Sequence, residues 1–170
     1  MKLNKNLVLV RMMGSGKSSL GKILSKKLEF EFIDTDNKIE EIEEKTISEI
    51  FKTNGEKYFR NIEEVISLKS LKLSNKVIAL GGGGYINPNI RKYALKNCIS
   101  VWLNWKNQTL INRIKNSKKR PLAMKLNSFE IQNLIEKRSI IYNLSNYKIN
   151  CDKLKKSEIV KKITSIYENS

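Results

Sequence analysis

The chain has 170 residues, enough for one domain with a substantial hydrophobic core, and we expect a single domain over its whole length. It contains 33 Lys and Arg against 17 Asp and Glu, a net charge of +16, and it contains no histidine. Catalytic triads that depend on histidine and metal sites built from histidine are therefore excluded, and catalysis must use carboxylates, lysine, arginine or a bound cation.

The excess of positive charge is typical of proteins that bind nucleic acids or other polyanions. Here the basic residues are scattered and no stacking aromatic motif accompanies them, so we expect small-molecule substrates and no nucleic-acid partner. Cys98 and Cys151 match no zinc or redox spacing, which indicates buried thiols in a reduced, cytoplasmic protein. The first apolar run is too short for a signal or membrane segment, so we expect no membrane association. We also expect a monomer.

Short apolar runs alternate with segments of helical period along the chain, and this pattern predicts an α/β fold with a parallel sheet. Helical spacing is clearest after residue 19 and around residues 59–66. Thr46 and Glu49 have the spacing of a capping box, and Asn107, Ser128 and Ser157 are predicted N-caps. The predicted strands are residues 7–10, 30–33, 77–80, 99–103 and 147–150.

The first predicted strand leads into Gly14-Ser15-Gly16-Lys17-Ser18, the second half of a phosphate-binding loop. Backbone N–H groups at such a helix start bind phosphates, the lysine reaches the outer phosphates, and the serine hydroxyl coordinates Mg²⁺. A turn with no function is the alternative. The loop template G-x-x-x-x-G-K-[ST] has glycine where this chain has Arg11. If the backbone there requires φ > 0, arginine costs about 1–2 kcal/mol, whereas an extended backbone costs little.

The stretch FIDTD places Asp34 and Asp36 at the end of the second predicted strand. Residues two apart on a strand share a face and lie about 6.5 Å apart, so both carboxylates are expected at the carboxyl edge, where open α/β sheets bind ligands. One could hold metal-bound water and the other a substrate hydroxyl. Alternatively, an aspartate here only caps the next helix. The third predicted strand ends in four glycines with no acidic residue, which leaves Asp34 as the acidic partner for a metal.

Three arginines lie in patterns that are ordinary when each is taken alone. Arg60 and Glu63 are three apart on a helix, where an exposed ion pair contributes less than about 1 kcal/mol. Arg138 is on a predicted helix. Arg120 lies in a polar, basic segment, about residues 116–128, that we expect to be a mobile lid able to place a guanidinium on a transferring phosphoryl group.

Taken in order, M-G-x-G-K-S, D-x-D, F-R-x-x-E, G-G-G, R-P-L and R-x-x-x-Y make the chain resemble the shikimate kinase family along essentially its whole length. The resemblance implies a three-layer α/β/α P-loop kinase fold with a five-stranded parallel sheet. It also implies ATP as cosubstrate, Mg²⁺ as cofactor, and phosphorylation of the 3-hydroxyl of shikimate in aromatic amino-acid biosynthesis. One departure is Ile140, where the family usually has a proline between the substrate arginine and the tyrosine.

The resemblance also implies a role for each matching residue. Lys17, Asp36 and Arg120 would be catalytic, with Asp36 receiving the acceptor hydroxyl. Arg60, Arg138 and the backbone of Gly82 and Gly83 would bind the substrate together with Asp36. Ser18 and Asp34 would serve Mg²⁺, Asp34 through water. The residues implied to bind ATP are Gly14, Ser15, Gly16, Lys17, Ser18, Ser19, Arg113 and Arg120.

Two other interpretations remain open from the sequence. The first is a kinase for another acceptor, such as gluconate or a nucleoside monophosphate. The second is an inactive, basic protein that binds phosphate or nucleic acid, suggested by Arg11 and the net charge of +16.

Overall fold

The computed structural model describes residues 5–12, 17–115 and 126–170, with the backbone alone for residues 17 and 18. Five strands form one parallel sheet in the order β2-β3-β1-β4-β5. The predicted fold class is confirmed, and each predicted strand lies within one residue of an observed one. The strands are β1 Leu7–Arg11, β2 Glu31–Asp34, β3 Lys76–Ala79, β4 Ile99–Asn104 and β5 Tyr147–Asn150.

Helices connect the strands and cover both faces of the sheet. Within the described residues they are α1 Lys17–Leu28, α2 Thr35–Glu43, α3 Ile47–Leu71, α4 Pro88–Asn97, α5 Asn107–Lys115, α6 Ser128–Tyr142 and α7 Lys156–Glu168, with a 3₁₀ turn at Gly84–Ile86. Gly55 has φ 83° and ψ 171°, outside the helical region, so it divides α3 into two segments. None of the described helices combines the length and apolar character needed to cross a membrane.

Alternation along β1 builds two hydrophobic cores, one on each face of the sheet. Val8 and Val10 face a cluster that includes residues of α4, α5 and α6, whereas Leu7 and Leu9 face a cluster with α1 and α7. A strand buried on both faces is characteristic of a parallel sheet between helical layers. Cys98 and Cys151 are buried free thiols, as predicted, and burial raises the pKa of Cys98 to about 11 and that of Cys151 to about 12.

The helix starts confirm one predicted cap and correct the others. Thr46 and Glu49 form the predicted capping box, in which Glu49 N donates to Thr46 Oγ1 at 3.2 Å. The cap of α6 is Asn127, one residue before the predicted Ser128, and its Oδ1 accepts from Glu130 N at 2.9 Å.

The starts of α5 and α7 also differ from the prediction. Asn107 is already inside α5, whose start is held instead by Asp152, which accepts from Lys106 N at 2.6 Å. Lys155 occupies the N-cap position of α7, two residues before the predicted Ser157. Both helices therefore begin slightly earlier than predicted, and the N–H group of the residue before each helix donates to a carboxylate, that of Asp152 at α5 and that of Glu158 at α7.

Candidate active site

Asp34 and Asp36 lie at the junction of β2 and α2. Asp34 ends β2 and is the N-cap of α2, since its Oδ1 accepts from Asp36 N at 3.1 Å. Asp36 belongs to the first turn of α2, so the prediction that the two carboxylates share a face of one strand is wrong. Both are nevertheless buried at the carboxyl edge of the sheet, as expected. Asp34 therefore caps α2, as the alternative interpretation predicts. The cap uses Oδ1, and Oδ2 takes no part in it.

Thr35 joins this junction to the glycine turn that follows β3. Its Oγ1 donates to Ala79 O at 3.3 Å and accepts from Gly81 N at 3.0 Å. A Cβ on Gly81 would lie 2.2 Å from Asp36 Oδ1, and one on Gly83 would lie 2.3 Å from Arg60 Nη1. The missing Cβ atoms thus allow the side chains of Asp36 and Arg60 to approach the backbone closely.

Glu63 links the charged groups around this turn. Arg60 Nη1 donates to Glu63 Oε2 at 2.7 Å, and the side chains are 32% and 3% exposed. The expectation of an exposed ion pair is therefore wrong, because the second segment of α3 turns Glu63 inward. Burial raises the pKa of Glu63, the charge and hydrogen bond of Arg60 oppose this, Asp36 raises it further and Arg138 lowers it.

The other side of the glycine turn is bound by α6. Arg138 Nη1 donates to Gly82 O at 3.1 Å, and the Tyr142 hydroxyl, one turn later, donates to the same oxygen. Burial raises the pKa of Tyr142 to about 12. Sequence reasoning included Glu63 and Tyr142 in the motifs F-R-x-x-E and R-x-x-x-Y without giving either a role. The spacing within those motifs was the signal that could have found them.

Two further contacts involve predicted nucleotide-binding residues, one on α5 and one at the start of α1. Arg113 Cζ is 4.1 Å from the centre of the Trp105 ring, a cation–π contact. Lys156 Nζ donates to Ser19 Oγ at 2.8 Å. The sequence alone predicts no role for Lys156. Among the predicted site residues, Gly14, Ser15, Gly16 and Arg120, together with residues 116–125 of the predicted lid, lie outside the described residues, as do the side chains of Lys17 and Ser18.

Arg11 is the last residue of β1 and pairs in parallel register with Leu103. It is not among the residues with positive φ, so the backbone strain considered for this position does not arise. The residue is 4% exposed, and Nη2 lies 3.7 Å from Asp34 Oδ2. The guanidinium is thus buried beside Asp34, the carboxylate predicted to serve Mg²⁺.

Comparison with known proteins identifies the family of the chain. The family model of shikimate kinase matches residues 13–168. The chain belongs to the shikimate kinase family. A shikimate kinase of Sulfurihydrogenibium sp. (strain YO3AOP1) is 42% identical over 159 residues, covering 94% of this chain and 95% of that protein.

Solved structures agree with this family assignment. The structure of shikimate kinase from Acinetobacter baumannii in complex with shikimate has a TM-score of 0.91 and 27% identity, covering 99% of this chain and 95% of that one. A gluconokinase from Sinorhizobium meliloti 1021 has a TM-score of 0.59 and 17% identity over 99% and 97% of the two chains, a likeness of fold alone.

Proposed function

We propose that the chain is a shikimate kinase that transfers the γ-phosphoryl group of ATP to the 3-hydroxyl of shikimate. The observation that carries this proposal is the convergence of Asp36, Arg60, Glu63 and Arg138 on the turn Gly81-Gly82-Gly83. Guanidinium groups suit a carboxylate substrate because they donate two parallel hydrogen bonds, and a nearby carboxylate suits a hydroxyl. The family membership and the complex of a relative with shikimate support the same substrate.

In this proposal each acceptor-side residue has a distinct task. Asp36 accepts the proton of the attacking hydroxyl and orients its oxygen. Arg60 and Arg138 bind the substrate carboxylate, together with the backbone of Gly82 and Gly83. Glu63, buried between them, holds Arg60 through the 2.7 Å bond, and Thr35 holds the glycine turn. Catalysis then depends on positioning and charge neutralisation, with no covalent intermediate on the protein.

The nucleotide side is proposed from the phosphate loop. Gly14, Ser15, Gly16 and Ser19 bind ATP phosphates, Lys17 and Arg120 neutralise the transferring group, and Arg113, which lies over the Trp105 ring, contacts the nucleotide.

Ser18 and Asp34 are the residues that we propose to hold Mg²⁺. When bound, the ion would neutralise negative charge on the phosphates. The chemistry fits, because Mg²⁺ prefers oxygen ligands and takes one or two protein groups plus substrate phosphates. Asp34 Oδ2, the oxygen that does not accept from Asp36 N, would serve the ion through water. No cluster of three acidic, histidine or cysteine side chains occurs in the described part of the chain, and a site of this type needs none.

A coupled ADP-release assay across shikimate, gluconate and nucleoside monophosphates tests the proposal. We expect turnover with shikimate and none above background with the others. Turnover with only one of the others would overturn the substrate assignment. Titration with single-stranded and duplex DNA at near-physiological salt tests the binding-protein alternative, for which tight, steeply salt-dependent binding is expected.

We further propose one domain with a lid at about residues 116–128, acting as a cytoplasmic monomer without nucleic-acid or membrane partners.

A further inference from the structure

The side chain of Arg11 spans the carboxyl edge of the sheet. In the sheet order, β3 lies between β1, which ends at Arg11, and β2, which ends at Asp34. Neighbouring strands are about 4.8 Å apart, so the two backbones are separated by about 10 Å, a distance that the side chains of Arg11 and Asp34 span together. Nη2 of Arg11 accordingly lies 3.7 Å from Oδ2 of Asp34.

Both partners of this contact are withdrawn from solvent. The side chains of Arg11 and Asp34 are 4% and 2% exposed, respectively. An ionised carboxylate at this depth is strongly destabilised unless a positive charge compensates it, and Arg11 provides that charge permanently because a guanidinium does not deprotonate in proteins. Asp34 Oδ1 is already bound to Asp36 N, so Oδ2 is the oxygen on which Arg11 and a bound cation would both act.

We propose that Arg11 is a built-in counter-cation of Asp34 that competes with Mg²⁺ for this carboxylate. The proposal rests on the proposed role of Asp34 toward Mg²⁺. A glycine at position 11 would leave the metal as the main positive charge beside Asp34. With arginine there, the negative charge of the carboxylate is compensated before any ligand binds, so Asp34 attracts Mg²⁺ less strongly. Nucleotide binding is therefore less dependent on Mg²⁺ than with glycine.

The test is calorimetric titration of the full chain with ADP, once in EDTA and once in saturating Mg²⁺. The Kd in EDTA divided by the Kd in Mg²⁺ measures the metal dependence. Arg11→Met keeps the length and removes the charge, and Arg11→Gly restores the template residue. We expect both substitutions to raise this ratio at least about fivefold, the lower end of typical coupling between two ligands. Circular dichroism and melting verify that the variants fold.

Asp34→Asn supplies the matched control. In that background the contested carboxylate is gone, so adding the Arg11→Met substitution is expected to leave the ratio the same within about twofold. An unchanged ratio for Arg11→Met with Asp34 present would overturn the inference, as would failure of both single variants to fold, which would make Arg11 a purely structural partner. The absence of ADP binding in every chain and condition would instead overturn the proposed kinase function, since the titration contains no shikimate.

Discussion

Replacing Arg60 with alanine separates the substrate role of this residue from its structural role. The substitution removes the 2.7 Å bond to Glu63 Oε2 and leaves a carboxylate that is 3% exposed without its nearest positive charge. It also removes the bond to Glu56, which is 60% exposed. Arg60 is therefore expected to support the fold as well as to bind the acceptor, contrary to what its helical spacing alone indicates.

The magnitude follows from burial. Removing one partner of a buried ion pair costs about 3–5 kcal/mol, and because Arg60 is itself 32% exposed we reduce this to about 2 kcal/mol. For a chain of this size, that corresponds to a fall in melting temperature of about 4–8 °C. Loss of a charged hydrogen bond to the substrate, about 1.5–3 kcal/mol, raises the KM for shikimate on the order of tenfold to a hundredfold.

Differential scanning calorimetry and steady-state kinetics measure the two effects separately. Glu56→Ala is the matched control, because it removes only the exposed partner, and we expect its free energy of unfolding to change by less than about 1 kcal/mol. Equal melting temperatures for Arg60→Ala and Glu56→Ala would refute the argument from burial. A normal KM in a destabilised Arg60→Ala would instead leave the residue a structural partner of Glu63 alone.

Two further substitutions address the carboxylates of the site. Asp36→Asn is expected to lower kcat on the order of 10²–10⁴-fold while the Kd for ADP by calorimetry stays within about twofold, because Asp36 is assigned to the acceptor hydroxyl; near-normal turnover would make Asp36 a structural residue. Burial raises the pKa of Glu63 above 4.5, so the folded chain binds its proton more tightly than the unfolded chain. The unfolding free energy of wild type minus that of Glu63→Gln should therefore fall as pH rises from 4.5 toward the raised pKa, measured by urea denaturation; a difference that rises with pH would contradict this.

The elements of the fold were predictable because their signals are local. Apolar runs located all five strands, and Thr46 with Glu49 formed the predicted capping box. The inward direction of Glu63 was not predictable, since it depends on how the second segment of α3 packs after Gly55. The position of Asp36 on α2 was not predictable from the alternation of strand residues. Asp34 is both the last residue of β2 and the N-cap of α2, so the helix already begins at Thr35.

Arg11 shows why departure from a motif has to be judged by the physical requirement behind each motif position. Glycine is needed where φ is positive or where a Cβ would collide, and Gly81 and Gly83 meet the second condition. Arg11 does not meet the first condition, because it continues β1 in register with Leu103 and is not among the residues with positive φ. Its side chain also has a partner of opposite charge in Asp34. The case for an inactive remnant therefore loses its main support, and what Arg11 changes is the charge beside Asp34.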